Sequence, residues 1–318
     1  MQMSIVTCAI SLASLLVLEP HGPDEAAAML SRLRAEAPEA WKQIRERIDG
    51  VEFSATVRTL KSHPVAQVTD VSFDIVVNYE TRCYKIVRHH ENPLKTTTRV
   101  RNPDYEFTVT PGSAGTYLLA DARKDEKDFP MQTLLDAYPA IFEGGWAVAG
   151  LLGESLLTDD FSVHENRIVD VGGMPVLRVC FHYHGHDENI KFRFNGHSLT
   201  VDFLPERNWL IDRAVYRNLS TGEVRTSHSS EFTEVDGLTI VSEGHYDQGD
   251  PPVSISHFVV DLDSFQPNEA GPAAFRLPAY GISEEAIGFK PPPTNWGRWG
   301  IGVLGALICV YGLRWMKK

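Results

Sequence analysis

The sequence predicts an α+β protein: a curved antiparallel sheet, or an unclosed β-barrel meander, packed around helices and followed by a C-terminal transmembrane helix. Apolar residues at helical spacing over 23–50 and two-residue alternation over most of 51–267 predict the helix and the sheet. The third observation is an apolar stretch over 296–316, which as a helix would span roughly the 30 Å hydrocarbon core of a bilayer.

Residues 23–50 have the pattern of an amphipathic helix or a helix pair. Pro23, Asp24 and Glu25 suit a first turn, because proline is tolerated there and acids complement the positive end of the helix dipole. Apolar residues then recur every three or four positions, namely Met29, Leu33, Ala37, Trp41, Ile44 and Ile48. We expect a break at Pro38, an end at Gly50, and an apolar stripe that packs on the sheet.

Alternation of apolar and polar residues predicts a meander of strands over 51–267, joined by short turns rich in Gly, Pro, Asn and Asp. The alternation also assigns faces to side chains. One apolar face carries Leu177, Val179, Phe181 and Tyr183 on one strand and Ile190, Phe192 and Phe194 on the next. Lys191, Arg193 and Asn195 point the other way. One face of the sheet should therefore be apolar and the other wet, as in a curved sheet that closes on itself.

An apolar helical insertion is predicted over 129–152, between two runs of strands. It carries Leu134, Leu135, Tyr138, Ile141 and Phe142 at helical spacing and is too apolar to lie in water. Together with the first helix, this insertion could plug or cover the concave apolar face of the sheet.

The two ends predict where the body of the protein works. Residues 1–20 have the length of a signal peptide or an uncleaved signal anchor, and 268–295 has the prolines and the lack of periodicity of an extended spacer. After the predicted span 296–316, Lys317 and Lys318 favour a cytoplasmic C-terminus, so we expect a single-pass membrane protein with an extracytoplasmic body. The alternative is a cytosolic, tail-anchored protein in which 1–20 form a buried core helix.

The net charge limits the classes of possible partner, and the cysteine positions limit the possible disulfides. The formal net charge is −12, which argues against nucleic acid or an anionic lipid surface as a partner. Of the four cysteines, Cys8 and Cys309 lie in the apolar ends. Cys83 and Cys180 remain, either as one disulfide in an oxidising compartment or as two free thiols.

The sequence predicts no catalytic residue, no metal site and no cofactor. The best candidate for a metal site is the cluster of His182, His184 and His186, because imidazoles two residues apart on a strand share one face. That face lies opposite the apolar stripe, however, so solvated histidines are the stronger interpretation. Gly196–Thr200 begins like a nucleophile elbow but lacks the closing glycine and the strand-to-helix context of such a turn.

The helix, the split meander and the insertion together resemble the LolA/LolB-like lipoprotein-carrier fold, an unclosed barrel around a helical plug. The resemblance rests on the strands of 51–122, the insertion 129–152 and the stretch 203–211 (Phe-Leu-Pro-Glu-Arg-Asn-Trp-Leu-Ile), which looks like the family's strand-turn-strand segment. It covers about residues 24–277. It implies a bacterial, periplasmic body that holds the acyl chains of a lipoprotein in its apolar concavity. A transmembrane tether departs from the family's soluble shuttles and lipid-anchored acceptors.

We therefore expect a non-enzymatic, membrane-tethered envelope domain that binds an apolar ligand, either a lipid or a lipoprotein acyl chain. The predicted contacts of that ligand are Leu134, Leu135, Tyr138, Phe142, Phe181, Phe192 and Phe194. The alternative is a protein-interaction or sensor domain of the envelope whose interior is filled by its own side chains. An open apolar cavity would favour the first hypothesis, and a packed interior would favour the second.

Overall fold

A computed structural model of the 318-residue chain describes residues 22–47, 49–61, 66–78, 81, 83–124, 145, 147–148, 151–186, 194–235, 237–249 and 251–289. The chain divides into two compact units. The first unit comprises 1–44, 59–68 and 134–258, and the second comprises 45–58, 69–133 and 259–318.

One long helix, α1, spans Pro23–Arg47. Asp24 and Glu25 lie in its first turn, and Arg45 and Arg47 lie in its last turn, so both ends complement the helix dipole. Its buried side chains form a single stripe of Ala26, Leu33, Ala37, Trp41 and Ile44. The predicted break at Pro38 does not occur. The stripe stays in phase on both sides of Pro38, so its continuous burial outweighs the loss of one backbone hydrogen bond.

Most of the remaining regular structure in the described ranges is strand. The strands are β1 Val51–Lys61, β2 Gln67–Asn78, β3 Cys83–His89, β4 Thr97–Arg101, β5 Tyr105–Pro111, β6 Tyr117–Lys124, β7 Ala147–Val148, β8 Leu151–Leu152, β9 Phe161–Val171, β10 Met174–Tyr183, β11 His197–Leu204, β12 Leu210–Asn218, β13 Val224–Val235, β14 Leu238–Gln248 and β15 Ser254–Pro267. Short 3₁₀ helices span Pro93–Lys95, Ser113–Gly115, Gly153–Leu157, Pro205–Arg207, Pro272–Phe275, Leu277–Tyr280 and Glu284–Ile287.

In the first unit, β9 to β14 lie side by side in chain order, and each consecutive pair is antiparallel. The predicted alternation holds along β10, where Leu177, Val179 and Phe181 are buried and Arg178 is only partly buried. The apolar face of this sheet packs against α1: the Asn166 side-chain amide of β9 donates to the Ala26 carbonyl of the helix at 3.2 Å. The predicted antiparallel meander is therefore present in this unit.

In the second unit, β1 to β6 also lie in chain order, with antiparallel pairs from β2 to β6. One face of this sheet is covered by residues 270–289, which the sequence assigns to an extended spacer. Phe275 and Leu277 are buried there against Val100, Tyr105 and Phe107. Burying large apolar side chains such as these is favourable in free energy, so the segment is more stable packed on the sheet than extended in solvent.

A buried ionic network occupies the other face of β3 to β6. Glu106 is 4% exposed and accepts from the Tyr84 hydroxyl at 2.7 Å and from the guanidiniums of Arg99 and Arg123, each at 2.8 Å. Burial alone would raise the pKa of Glu106, but these donors outweigh it and hold that pKa below its usual value. The network closes this face without leaving its carboxylate unpaired.

Two predictions about helices are wrong for the described chain. Within the ranges given above, no helix is long and apolar enough to cross a membrane, because the one long helix, α1, carries charged residues along its length. The predicted C-terminal transmembrane helix and the single-pass membrane localisation are therefore not upheld. The segment 296–316 itself, like 1–20, lies outside the described residues.

The second correction concerns the insertion 129–152. Its described end is not helical: β7 and β8 pair antiparallel as Ala147↔Leu152 and Val148↔Leu151. Gly145 precedes them and forms a bridge to Ile211 of β12, donating to it at 3.2 Å and accepting from it at 2.8 Å. A left-handed glycine (φ 67°) followed by a tight hairpin explains why strand geometry replaces helical spacing here.

Candidate ligand-binding site

The predicted ligand contacts fall into two groups. Phe181 and Phe194 are described, and both are buried, with 1% and 3% of their surface exposed. The other five predicted contacts, Leu134, Leu135, Tyr138, Phe142 and Phe192, lie outside the described residues. The site can therefore be described from the sheet and from α1.

Phe181 and Phe194 belong to a continuous line of aromatic rings on the apolar face of the first unit, which we call the aromatic row. In order, its members are Trp41, Phe203, Phe181, Phe161, Phe194 and Tyr216, and successive ring centroids are 6.3, 6.3, 6.5, 5.6 and 5.3 Å apart. All but the first contact are edge-to-face, with interplanar angles of 78–89°. This geometry is favourable for ring pairs beyond the area they bury.

Strand register explains why rings that are distant in sequence meet. Leu177 of β10 lies opposite Phe203 of β11, and Phe181 lies opposite Leu199. Residues that lie opposite each other on adjacent strands share a face, and so do residues two or four apart on one strand. Because Leu177 pairs with Phe203 and is four residues from Phe181, both phenylalanines lie on the same face. The register therefore explains why Phe181 and Phe203 meet. The other rings come from β9 (Phe161), from β12 (Tyr216), from the residue Phe194 before β11, and from Trp41 of α1.

Trp41 is the fully buried end of the row. Its indole N–H donates to the Trp209 backbone carbonyl at 3.1 Å. Its six-membered ring lies against Gly153, where an added Cβ would come within 2.7 Å of two ring carbons. Only glycine, which has no Cβ, allows such a close approach. The indole ring of α1 therefore packs directly against the backbone of the segment after β8.

The turn before β12 holds Trp41 in place. Asn208 and Trp209 both have positive φ, 55° and 61°, a costly conformation for non-glycine residues. It places the Trp209 carbonyl at Trp41 and the Trp209 indole N–H at the Glu36 carboxylate of α1, at 3.0 Å. Hydrogen bonds from Arg32 and then from Trp209 lower the pKa of Glu36. Residues 203–211 were assigned to a strand-turn-strand segment, but no residue in this stretch indicates that the turn has positive φ angles.

One cluster has metal-ligand chemistry. Ligand atoms of Glu243 and His245 on β14 and of His257 on β15 lie within 4.8 Å of one another, and His257 Nε2 is 3.1 Å from a Glu243 carboxylate oxygen. The two imidazoles are stacked, with centroids 4.4 Å apart and planes inclined by 8°. Metals bind imidazole lone pairs in the ring plane, and stacked rings do not aim them at one point, so this arrangement is a polar pair rather than a preformed chelate.

The histidines that sequence analysis singled out also stack. His182 lies over His164 of the adjacent strand, with ring centroids 4.6 Å apart, and burial followed by the His164 charge lowers the pKa of His182. This environment favours the neutral form of the His182 ring. His184 is exposed. The described part of this cluster therefore has the character of a polar surface.

Neither protein-family models nor curated protein sequences match this chain. Among solved structures, it is similar to a LolA superfamily protein from Nitrosomonas europaea, at 8% identity and a TM-score of 0.47 over 76% of this chain and 97% of that one. It is also similar to a DUF1329 family protein from Desulfovibrio piger, at 10% identity and a TM-score of 0.44 over 77% and 99% of the two chains. A putative outer membrane lipoprotein-sorting protein domain from Vibrio parahaemolyticus aligns at 8% identity and a TM-score of 0.45 over 78% and 100%. These are similarities to proteins of the LolA/LolB-like architecture expected from the sequence, and what those proteins bind is a property of those proteins.

Proposed function

We propose that this chain is a non-enzymatic binding domain that holds an apolar ligand, a lipid or the acyl chain of a lipoprotein, against the aromatic row. The observation that carries the proposal is the row itself. It places six aromatic rings in unbroken contact on one face of the sheet, from the fully buried Trp41 to the partly buried Tyr216. A line of rings of this kind offers an elongated apolar surface, which matches the shape of an alkyl chain.

The energetics of burial make such a ligand reasonable. Each buried methylene contributes about 0.8 kcal/mol, so about ten methylenes on the row would supply roughly 8 kcal/mol before the costs of association and of displacing side chains are subtracted. Five of the six rings are at most 4% exposed, and this packing by itself favours the self-filled alternative below. A ligand must therefore take the place of side chains that now cover the row. The end of the row near Phe194 and Tyr216 is more exposed, so a ligand that enters there displaces the fewest covering side chains.

A second candidate is a domain with a self-filled interior that works through a protein partner. The contact between Trp41 and Gly153 favours it. The indole is fully buried, bonded to Trp209 and seated on a glycine, and such a junction stabilises a closed interior. Under this alternative, the aromatic row is core and has no ligand.

Binding of a neutral apolar dye separates the two candidates. The purified full-length chain, freed of lipid, is titrated with N-phenyl-1-naphthylamine, and a diacyl lipopeptide is then used to displace the dye. The dye carries no charge, so the assay reports apolar binding alone. Saturable binding with displacement by the lipopeptide is expected. Absence of binding by both would favour the self-filled alternative.

A matched pair of variants locates the bound dye. Phe181 in the row and Phe107 in the second unit are each 1% exposed. Phe181→Leu and Phe107→Leu remove the same apolar volume and should therefore cost similar stability, about 1–2 kcal/mol each. Only Phe181→Leu should change dye affinity, by about fivefold if roughly 1 kcal/mol of ring contact is lost. Equal affinities in the two variants would contradict binding at the row.

A further inference from the structure

The first unit has a cavity of about 200 Å³ on the polar face of β9 to β12, opposite the aromatic row. We call it the arginine cavity. It is lined by Arg167, Arg178, Thr200, Asp202, Arg213, Val215 and Arg217. Liquid water occupies about 30 Å³ per molecule, so the cavity has room for a compact group of several heavy atoms.

Strand register brings the charged residues into one line. Arg167 of β9 lies opposite Arg178 of β10, Arg178 lies opposite Asp202 of β11, and Asp202 lies opposite Arg213 of β12. Arg217 is four residues after Arg213 on β12 and so shares its face. Four neighbouring strands therefore present four guanidiniums around a single buried carboxylate.

That carboxylate neutralises only one of the arginines. Asp202 accepts two bonds from Arg178, at 2.6 and 2.7 Å, in a bidentate pair, and its side chain is 4% exposed. Arg178 also lies directly opposite Arg167, and like charges opposite each other on adjacent strands destabilise a sheet. The cavity thus combines a fixed ion pair with an excess of positive charge.

The acids around the cavity do not cancel this excess. Glu165 approaches Arg167 at 3.8 Å, but both side chains are more than half exposed, so solvent weakens the pair. Burial and then the Asp202 charge raise the pKa of Asp212, and the cavity lining itself has four guanidiniums against the one carboxylate of Asp202. Arg217 donates to the Gly222 carbonyl at 3.3 Å, a neutral partner. The positive excess persists within a chain whose net charge is −12.

We propose that the arginine cavity binds a phosphate group. A guanidinium presents a planar fork of N–H donors that pairs with two oxygens of one phosphate, and a tetrahedral dianion accepts from several forks at once. Arg167, Arg213 and Arg217 supply the forks, and the Thr200 hydroxyl adds a donor. The Arg178–Asp202 pair holds the floor of the cavity. This proposal is independent of the apolar ligand, because it concerns the opposite face of the same strands.

The test uses the full-length chain and measures phosphate binding by calorimetry. Inorganic phosphate should bind one-to-one with a dissociation constant of about 1 mM or tighter, and sodium acetate should bind at least about tenfold more weakly. Absence of phosphate binding, or equal binding of acetate, would overturn the proposal. A soluble phosphomonoester and vesicles containing phosphatidic acid form two further arms. Whichever competes with inorganic phosphate identifies the source of the group, and competition by neither would exclude a phosphate ester as the ligand.

Two variants test the location. The double change Arg213→Gln and Arg217→Gln removes exposed residues of the cavity and should weaken phosphate binding at least about tenfold without unfolding the chain. The double change Arg58→Gln and Arg88→Gln is the matched control, because it also removes two positive charges and both arginines are exposed residues of the second unit. An equal loss in both would mean that net charge, not the cavity, attracts the anion. Dye binding to these variants should be unchanged, which keeps this test separate from that of the apolar site.

Discussion

Replacing Gly153 with alanine tests the junction on which the aromatic row ends. An alanine Cβ would lie 2.7 Å from Cη2 and Cζ3 of Trp41 and 3.1 Å from its Cε3, whereas ordinary van der Waals contacts begin at about 3.4 Å. The indole would have to retreat by about 0.7 Å, the difference between 3.4 and 2.7 Å. It is tethered by its bond to Trp209 and is in ring contact with Phe203, the next member of the row.

The expected cost follows from two opposing effects. Overpacking a well-filled core costs about 1–3 kcal/mol, while replacing a glycine whose φ is not positive stabilises by about 0.4–1 kcal/mol through the unfolded chain. Gly153→Ala should therefore destabilise the first unit by about 1–2 kcal/mol. Gly271→Ala is the control, since a Cβ added there would have no atom within 4 Å and the φ of Gly271 is −69°. Only the stabilising effect should remain there, so the two variants should differ in sign.

Urea unfolding followed by tryptophan fluorescence and by circular dichroism measures both variants, with the two probes reporting whether the units unfold together. A double-mutant cycle with Trp41→Leu then assigns the cause. If the indole is the obstacle, the cost of Gly153→Ala should shrink by about 0.5–3 kcal/mol once the ring is gone. A Gly153→Ala variant as stable as Gly271→Ala, or an unchanged cost in the Trp41→Leu background, would refute the reasoning.

Two further predictions concern single side chains. The Tyr105 hydroxyl donates to Glu284 at 2.6 Å and accepts from a backbone N–H at 3.1 Å, so Tyr105→Phe should cost the second unit about 1–3 kcal/mol in urea unfolding. The exposed Tyr117 is the control, and an equal effect of Tyr117→Phe would contradict the assignment. Burial, and then the His245 charge, lower the pKa of His228 from 6.5 to about 4. Between these pH values the unfolded chain binds the extra proton, so stability is complete above about pH 6.5 and falls by roughly 3 kcal/mol as pH drops to 4. His228→Leu should flatten this slope in unfolding curves recorded across that range, and an unchanged slope would show that another group titrates.

Local patterns were sufficient to predict the strands. Two-residue alternation along β10 assigns Leu177, Val179 and Phe181 to one face, and the structure agrees, because each strand must bury one face whatever its neighbours are. The same reasoning was wrong at Pro38, where a locally unfavourable residue lies inside a helix that tertiary packing maintains. It was also wrong at 147–152, which the predicted helical insertion included and in which β7 and β8 pair as a short hairpin.

The candidate site was harder to predict because it depends on register. Phe181 could be chosen from alternation alone, whereas Phe194, which was assigned to a strand, lies before β11 and is nevertheless buried. Their contacts with Phe161 and Phe203 require knowing which residues lie opposite one another. Helical spacing placed Trp41 on the inner face of the helix. It could not identify the contact of Trp41 with Gly153, because these residues are more than one hundred positions apart in the sequence. The arginine cavity has the same origin. Arginines on strands look like ordinary wet-face residues until the pairing aligns them.

The two proposed sites share their strands and are separated by the pleat of the sheet. On β10, Val179 and Phe181 face the aromatic side while Arg178 faces the cavity, and on β11, Phe203 faces the aromatic side while Asp202 faces the cavity. A one-residue shift of register would move every one of these side chains to the wrong face. The buried Arg178–Asp202 pair works against such a shift, because slipping would carry a paired charge into the apolar interior. The ion pair on the polar face therefore contributes to the alignment of the rings on the apolar face, even though no ligand of one site needs to touch the other.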